Sequence, residues 1–484
     1  MKRQTSTPLF DAVANHTKQN FSSFHTPGHK YGHSIDRKLK DFTGKKIYKM
    51  DVTVLPTVDS LHDPVGPIKK AQKLLAQSYG VKHSFMLVNG STVGNQAMLL
   101  SACNPGDSII VSRNAHKSVM SGIILAGVWP IWVQPKIDQN LDIIFDVTPE
   151  QVEAAIKQFP EAKAVFVTSP TYNGITTDLV KISEIVHSHD KLLLVDEAHG
   201  AHLKFHHDLP ISAVEAGADL CVQSTHKMLS AMSQGSVLHY NSDLADINRV
   251  RKIVSMLQTT SPNYIILSSI DIARMQAYIH GERLLSRILK LAELARRRIN
   301  RLQSFFSFTR NEINARGFDL DPTKLTINVT RSGMSGYEID TILREEYAIQ
   351  VDCTDLFNLI AIMGIGSDRS DVEALIKAFE VINKKHKSKE KRQFLNIPSL
   401  STEMVMMPRD VFLQHRMKRV SLHKAVGHIS AQTLTPYPPG IPILIPGERI
   451  TREICDYLSD LVNNDIRISG QETDTLRTIK VVAV

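Results

Sequence analysis

Short apolar runs alternate with amphipathic stretches between about residue 60 and residue 275. The runs share a length of three to five residues and a nearly continuous apolar character. They are Ser84–Val88, Ser108–Val111, Ala164–Val167, Leu192–Val195 and Leu220–Val222. Such runs predict strands that are buried on both faces, as in a mainly parallel sheet covered by helices. The alternation with helical stretches predicts an α/β fold.

A different pattern follows, in which apolar residues recur every three or four positions. They are Leu284, Ile288, Leu291, Ala295, Ile299 and Leu302. This spacing predicts a long amphipathic helix that leads out of the large domain. Beyond it, Lys324–Val329 and Leu359–Met363 resemble strands, and Asp371–Ile382 resembles a helix. We therefore expect a second, smaller α/β domain.

A chain of 484 residues is too long for one simple core, so its length predicts two or three domains. The patterns divide it into an N-terminal arm (1–60), a large domain (61–280), the linking helix with the small α/β domain (281–383), a basic linker (384–393) and a C-terminal α+β module (394–484). The last module contains Pro436–Pro442, a proline-rich segment that predicts a rigid loop.

Composition and charge narrow the class of protein. The apolar fraction of 42% and the charged fraction of 22% are ordinary for a globular protein. There is no apolar run of membrane-spanning length and no signal-peptide core, so we expect a cytoplasmic protein without a membrane partner. The net charge of +8 is spread along the chain, and its densest run, Lys384–Arg392, lacks aromatic residues. This argues for a solvated linker and against nucleic-acid binding.

The four cysteines form neither a CxxC pair nor a zinc pattern. We expect reduced thiols and no metal site.

The most informative chemistry is an acid and an amine that follow two of the predicted strands. Asp196 ends the run Leu192–Val195, and Lys227 follows the run Leu220–Val222 within Ser-Thr-His-Lys. The 31 positions between them (227 − 196) leave room for one crossover, so both side chains can emerge at one edge of a parallel sheet. This pair suits pyridoxal phosphate (PLP), because lysine forms a Schiff base with its aldehyde and a carboxylate keeps its pyridine nitrogen protonated.

Other polar segments fit the same cofactor. Asn89–Asn95 follows a predicted strand and precedes a helix, so its hydroxyl and N–H groups suit a phosphate. His116 follows another strand and could stack on a flat ring, although a lone histidine is more often an ordinary loop residue. Ser224 could bind phosphate, and His226 could move protons beside Lys227. Asp196 could instead simply cap a helix.

As a set, these segments closely resemble the prokaryotic ornithine/lysine/arginine decarboxylase family, which has the fold type I (aspartate aminotransferase-like) PLP architecture. The segments that carry the resemblance are Phe24–Lys30, Asp59–Pro64, Asn89–Thr92, Arg113–Ser118, Asp196–His202, Ser224–Lys227, Thr259–Pro262 and Pro436–Pro442. Because the first of them lies close to the N-terminus, the chain resembles the shorter branch without an N-terminal wing.

The resemblance implies a role for each matching residue. Lys227 holds the cofactor covalently, and Asp196 pairs with its pyridine nitrogen. His116 and Ala198 pack on opposite faces of the ring, while His226 orients the substrate or helps to protonate it. The phosphate ligands implied are Ser91, Thr92, Ser224 and, from a partner subunit, Thr259 or Thr260. The large domain is then the PLP-binding domain, and a homodimer or higher homo-oligomer with shared active sites is expected.

The expected reaction is α-decarboxylation of arginine, lysine or ornithine to a polyamine-type amine and carbon dioxide. The distal cationic group of the substrate needs an acid, for which Asp63, Asp352 and Glu448 are candidates, although a surface or capping role suits each of them too. The alternatives are another reaction on the same scaffold, such as transamination or Cα–Cβ cleavage, and a non-catalytic regulatory protein that keeps the fold.

Overall fold

The computed structural model describes residues 4–19, 21–138, 141, 143–385, 402–413, 416–436, 441–463, 466, 468–471 and 476–483. Most of the predicted basic linker and the centre of the Pro436–Pro442 loop lie outside these residues. None of the helices among them is both long enough and apolar enough to cross a membrane.

The helices alternate with strands along most of the chain. In chain order they are α1 (Pro8–Lys18), α2 (Arg37–Thr43), α3 (Lys46–Met50), α4 (Pro67–Tyr79), α5 (Gly90–Ala102), α6 (Lys117–Ala126), α7 (Pro149–Gln158), α8 (Leu179–Ser188), α9 (Thr225–Met228), α10 (Ile247–Leu257), α11 (Tyr264–Ile299), α12 (Arg310–Asn314), α13 (Gly336–Tyr347), α14 (Arg369–Lys385), α15 (Pro408–Leu413) and α16 (Arg452–Asn463).

The strands in chain order are β1 (His83–Leu87), β2 (Ser108–Ser112), β3 (Trp129–Val133), β4 (Ile137–Asp138), β5 (Ile143–Ile144), β6 (Ala164–Thr168), β7 (Ile175–Thr176), β8 (Leu192–Asp196), β9 (Leu220–Gln223), β10 (Ser236–Tyr240), β11 (Asp319–Leu320), β12 (Lys324–Asn328), β13 (Cys353–Thr354), β14 (Asn358–Ile362), β15 (Met417–Ser421), β16 (Thr435–Pro436), β17 (Ile468–Ser469) and β18 (Thr478–Val482). Each apolar run predicted as a strand forms one, within one or two residues of its predicted bounds.

The chain divides into two compact units, which differ from the five predicted segments. Unit 1 comprises residues 1–101 and 196–286, and unit 2 comprises residues 102–195 and 287–484. The division falls inside α5, inside β8 and inside α11, so the chain passes from one unit to the other within regular elements. The five-segment division stays a prediction.

Unit 1 contains an antiparallel set of strands. β10 pairs in antiparallel orientation with β1 and with β9, with Leu238 opposite both Phe85 and Val222. A parallel partner needs a long crossover, whereas only the short α9 region joins β9 to β10, so the chain returns antiparallel. β10 lies outside the strands that the sequence predicted, because Ser236 and His239 interrupt its apolar character even though all five residues are buried.

Unit 2 contains the parallel pairing that the sequence predicted. β2 pairs in parallel with β3 and with β6. A separate antiparallel sheet has the order β12-β14-β13, and β15 pairs with β18 in the C-terminal module. The apolar stripe predicted for the linking helix is confirmed, because Ile288, Ala295 and Ile299 are fully buried in the core around β12 and β14. The helix itself begins at Tyr264, twenty residues before that stripe.

Candidate active site

A ring of hydrogen bonds in unit 1, closed through the backbone of α5, joins four of the nine residues predicted to hold the cofactor. They are Ser91, Asp196, Ala198 and Ser224. Ser91 and Asn95 lie one helical turn apart on α5, so their side chains project from the same face. The Oγ atom of Ser91 lies 2.7 Å from the Oγ atom of Ser224. The Nδ2 atom of Asn95 donates to Oδ2 of Asp196 at 2.7 Å.

The backbone completes this ring. The other carboxylate oxygen of Asp196 accepts from the N–H group of Ala198 at 3.1 Å. The carbonyl of Ala198 in turn accepts from the N–H group of Ser224 at 3.3 Å. Two strand ends and the first turns of α5 are therefore fixed relative to one another, with Asp196 and Ser224 both buried.

Gly94 allows α5 to approach β9 closely. A Cβ atom at this position would lie 2.3 Å from Cγ2 of Val222 and 3.1 Å from Cδ1 of Leu87, far inside ordinary contact distance. Glycine therefore brings Ser91 and Asn95 within reach of their partners. α5 begins at Gly90, which has a φ of +68°. The predicted phosphate-binding turn is thus the first turn of the helix, because glycine allows the chain to enter it directly.

Lys227 lies on the short helix α9, directly after the ring. Its N–H group donates to the carbonyl of Ser224 at 3.2 Å. The side chain is partly buried, and its Nζ atom lies 3.0 Å from Nε2 of His199. The predicted Schiff-base lysine therefore contacts an imidazole from the loop that follows β8.

His226 has a different partner. Its Nδ1 atom lies 2.9 Å from the carbonyl oxygen of Gly235, so Nδ1 carries the proton that is donated. Burial lowers the pKa of His226, and the positive charge of Lys227 lowers it further. The hydrogen bond to Gly235 orients this imidazole and offsets part of that lowering.

A second buried acid lies beside Asp196. Glu197 accepts from the N–H group of Ala213 at 2.7 Å and from Nε2 of Gln223 at 2.6 Å. Complete burial raises the pKa of Glu197 to about 8. The network continues from Gln223 to His239, whose Nδ1 lies 2.8 Å from the Oγ atom of Ser84. Glu197 therefore forms part of a buried hydrogen-bond network in unit 1.

His116 belongs to unit 2, where it caps the N-terminus of α6. Its Nδ1 atom accepts from the N–H group of Ser118 at 3.2 Å. Stacking of His116 on the cofactor stays a prediction, as does the packing of Ala198 on the other face. Thr92, Thr259 and Thr260 are exposed, and their contacts with phosphate stay predictions too.

The three candidate acids for the distal end of the substrate differ in environment. Asp63 and Asp352 are exposed. Glu448 is fully buried and forms an ion pair of 3.2 Å with Arg113, which is also fully buried. Arg113 further donates to the carbonyl of Pro442 at 2.6 Å, and so attaches the C-terminal module to the segment before His116. Glu448 therefore has a structural role, because a substrate would have to displace this guanidinium.

Unit 2 also contains a largely apolar cavity of about 100 Å³. Its described lining includes Tyr337, Phe357 and Tyr457 among aromatic residues, and Asp355 as its carboxylate. Oδ1 of Asp355 accepts from the N–H groups of Phe357 and Asn358, each at 2.7 Å. This acid thus stabilises the turn before β14.

One group of three residues could hold a metal ion within the part of the chain that the structure describes. The ligand atoms of His206, His207 and Glu282 lie within 4.8 Å of one another in unit 1. Nδ1 of His206, however, accepts from the N–H group of Asp208 at 3.1 Å. A neutral His206 then carries its proton on Nε2, which leaves that atom no lone pair for a metal. We assign the group as a cluster of polar contacts, in which Nε2 of His206 lies 2.8 Å from Oγ of Ser286 and Nδ1 of His207 lies 2.8 Å from Oε1 of Glu282.

Sequence reasoning gave no role to two residues of the site, Asn95 and His199. Both lie inside segments that were recognised, Asn89–Asn95 and Asp196–His202. The available signal was that Asn95 follows Ser91 by one helical turn and that His199 follows Asp196 by three residues. This signal could not give them a role, because Asn95 contacts Asp196 and His199 contacts Lys227, which are distant in sequence.

Comparison with known proteins gives consistent matches along the chain. Residues 7–371 match the model described as "Orn/Lys/Arg decarboxylase, major domain", and residues 388–477 match that of the C-terminal domain of the same family. The arginine decarboxylase of Halalkalibacterium halodurans is 39% identical, over 100% of this chain and 99% of that protein. The constitutive lysine decarboxylase of Escherichia coli is 26% identical, over 96% of this chain and 79% of that protein.

Solved structures agree on the fold. The lysine decarboxylase of Francisella novicida aligns with a TM-score of 0.85 at 24% identity, covering 99% of this chain and 82% of that one. The alanine–glyoxylate aminotransferase of Nostoc sp. aligns with a TM-score of 0.53 at 16% identity, covering 68% of this chain and 89% of that one. The predicted aminotransferase-like α/β fold is therefore confirmed.

Proposed function

Because this chain belongs to the Orn/Lys/Arg decarboxylase family, we propose that it is an arginine decarboxylase that depends on PLP. The chain is a basic amino-acid decarboxylase, and we propose that arginine is its substrate within that class. Full-length similarity to the arginine decarboxylase of H. halodurans supports this choice. The products are the corresponding amine and carbon dioxide.

The closed hydrogen-bond ring of unit 1 is the observation that supports the cofactor. PLP needs an amine for its aldehyde, an acid for its pyridine nitrogen and donors for its phosphate. Lys227, Asp196 and the hydroxyls of Ser91 and Ser224 match these needs, and the ring links the last three. The N-terminus of α5, which has thirteen residues, adds the positive end of a helix dipole beside Ser91. The residues present therefore fit PLP.

When bound, PLP supplies an electron-accepting ring that takes up the electron pair of the broken Cα–carboxylate bond. Lys227 would hold the cofactor through its side-chain amine. The carboxylate of Asp196 would accept a hydrogen bond from the pyridine nitrogen and stabilise its positive charge. Asn95 and the N–H group of Ala198 hold that carboxylate in place, one at each oxygen.

The proposal also covers the oligomeric state and the cellular location of the enzyme. We propose a homodimer in which the exposed Thr259 or Thr260 of each subunit reaches the phosphate in the other active site. We also propose that the protein acts in the cytoplasm, in polyamine synthesis. A dilution series tests the shared site. Mass photometry measures the fraction of dimer, and PLP titration measures the cofactor affinity at each concentration. We expect the affinity to fall at protein concentrations below the dimer dissociation constant.

A product assay with arginine, lysine and ornithine tests the reaction and its substrate. Each amino acid is incubated with the PLP-loaded protein, and carbon dioxide and the amine are identified by mass. We expect agmatine from arginine as the dominant product. A keto acid would instead indicate transamination, and an aldehyde from the side chain would indicate Cα–Cβ cleavage. Absence of turnover together with absence of PLP binding would indicate a non-catalytic protein.

Lys227→Ala provides the matching test of the residue assignment. We expect loss of turnover and of the visible absorbance of the lysine-bound cofactor, with an unchanged circular dichroism spectrum. Lys157→Ala, in an exposed position on α7, is the control and should keep both properties. Retained turnover in Lys227→Ala would contradict the assignment.

A further inference from the structure

The amine of Lys227 contacts an imidazole to which the sequence assigned no role. Nε2 of His199 lies 3.0 Å from Nζ of Lys227, at hydrogen-bond distance. His199 is buried, and it follows Ala198, whose carbonyl accepts from the N–H group of Ser224. The backbone bond that closes the ring therefore also fixes the loop of His199 beside α9.

The neighbouring titratable groups have other hydrogen-bond partners. In the loop after β8, Asp196 is bonded to Asn95, and Glu197 is bonded to Ala213 and Gln223. Next to Lys227 on α9, Nδ1 of His226 is bonded to the carbonyl of Gly235. His202, further along the loop, is also buried. Nε2 of His199 is in hydrogen-bond contact with the amine at 3.0 Å.

We propose that His199 is a further catalytic residue, which accepts a proton from Nζ of Lys227 and later returns it. The inference rests on the proposed function, since it assigns the proton partner of the cofactor-binding lysine. In the forward step an N–H bond of the ammonium breaks and an N–H bond forms at Nε2, so the positive charge moves from Lys227 to His199. No other reactant is needed.

This transfer serves a chemical requirement of the lysine. An ammonium group has no lone pair, so Lys227 can attack the aldehyde of PLP only after losing a proton. A positioned imidazole typically contributes about 10²- to 10⁴-fold to a step that involves proton transfer. The same imidazole is placed to return the proton when Lys227 is released by the substrate. His226, whose ring is fixed by its hydrogen bond to Gly235, then keeps the proposed role of orienting the substrate.

The test follows capture of PLP by the cofactor-free protein, without any amino acid substrate. The rate of capture is measured by stopped-flow absorbance from pH 5 to pH 10 for the wild type, His199→Gln and His199→Ala. We expect His199→Gln to slow capture at least tenfold near pH 7 and to move the rise of the rate to higher pH. Imidazole in the buffer should restore capture in His199→Ala several-fold. His189→Gln, on an exposed histidine of unit 2, is the matched control and should match the wild type.

Specific results overturn the proposal. An unchanged rate and pH profile in His199→Gln would show that the contact is structural only, and so would a slow His199→Ala that imidazole does not rescue. If neither variant folds, the wild-type profile decides, because a rate that rises only with lysine deprotonation, without a second ionisation, refutes an imidazole base. A wild-type protein that captures no PLP would refute the proposed function itself, whereas decarboxylation with an unaltered His199→Gln profile would refute this inference alone.

Discussion

Replacing Asn95 by alanine should weaken PLP binding, because it removes the side chain that orients Asp196. Asn95 is almost completely buried, and its Nδ2 atom donates to Oδ2 of Asp196 at 2.7 Å. In the variant, Oδ1 still accepts from Ala198, but Oδ2 has lost this donor. The carboxylate can then rotate, and cofactor binding has to order it again.

The size of the effect follows from the type of bond. A hydrogen bond to a charged group is worth about 1.5–3 kcal/mol, and each 1.4 kcal/mol corresponds to a tenfold change in an equilibrium constant. If the whole loss is felt on binding, the dissociation constant of PLP rises by about one to two orders of magnitude. Asn95→Asp should be more severe, because it places a second carboxylate against Asp196.

Titration of the cofactor-free protein with PLP, followed by absorbance, measures this change directly. Ser101→Ala is a suitable control, since Ser101 is a buried polar residue on the same helix whose hydroxyl has no hydrogen-bond partner among the described residues. The control should bind PLP as the wild type does. If Asn95→Ala lowers the unfolding temperature but binds PLP within twofold of the wild type, the bond stabilises only the fold and the reasoning is wrong.

Three further changes probe the surroundings of the site. Gly94→Ala should destabilise the protein by about 1–3 kcal/mol and weaken PLP binding, because the new Cβ would lie 2.3 Å from Val222; unchanged unfolding and titration curves would contradict this. Arg113→Met should lower the free energy of unfolding in urea by about 3–5 kcal/mol because it leaves Glu448 buried without its partner, and a second change, Glu448→Gln, should recover part of the loss. Burial raises the pKa of Glu197 from 4.5 to about 8, so the folded protein keeps a proton that the unfolded chain releases, and stability falls as pH rises through this range. The unfolding temperature of Glu197→Gln should therefore vary less between pH 5 and pH 8 than that of the wild type, and parallel curves would refute the assignment.

The elements of the fold could be predicted from the sequence because their signals are local. The run Leu192–Asp196 is apolar at four consecutive positions and forms β8, with its last four residues buried. The stripe that includes Ile288 and Ile299 has the spacing of one helix face, and that face lies in a core. Where the local signal weakens, the prediction weakens too. The strand β10 was missed because Ser236 and His239 carry the polarity of surface residues although they are buried. The start of α11 at Tyr264 was missed as well.

The sequence by itself also determined which residues could do chemistry, since Asp196, Ser224 and Lys227 each follow an apolar strand in an order that one family shares. Only the tertiary structure decided which side chains meet them. Asn95 reaches Asp196 across 101 positions of sequence, and Arg113 reaches Glu448 across 335. Contacts of this kind depend on how closely packed elements approach one another, as α5 approaches β9 at Gly94, and local patterns of polarity do not encode that distance.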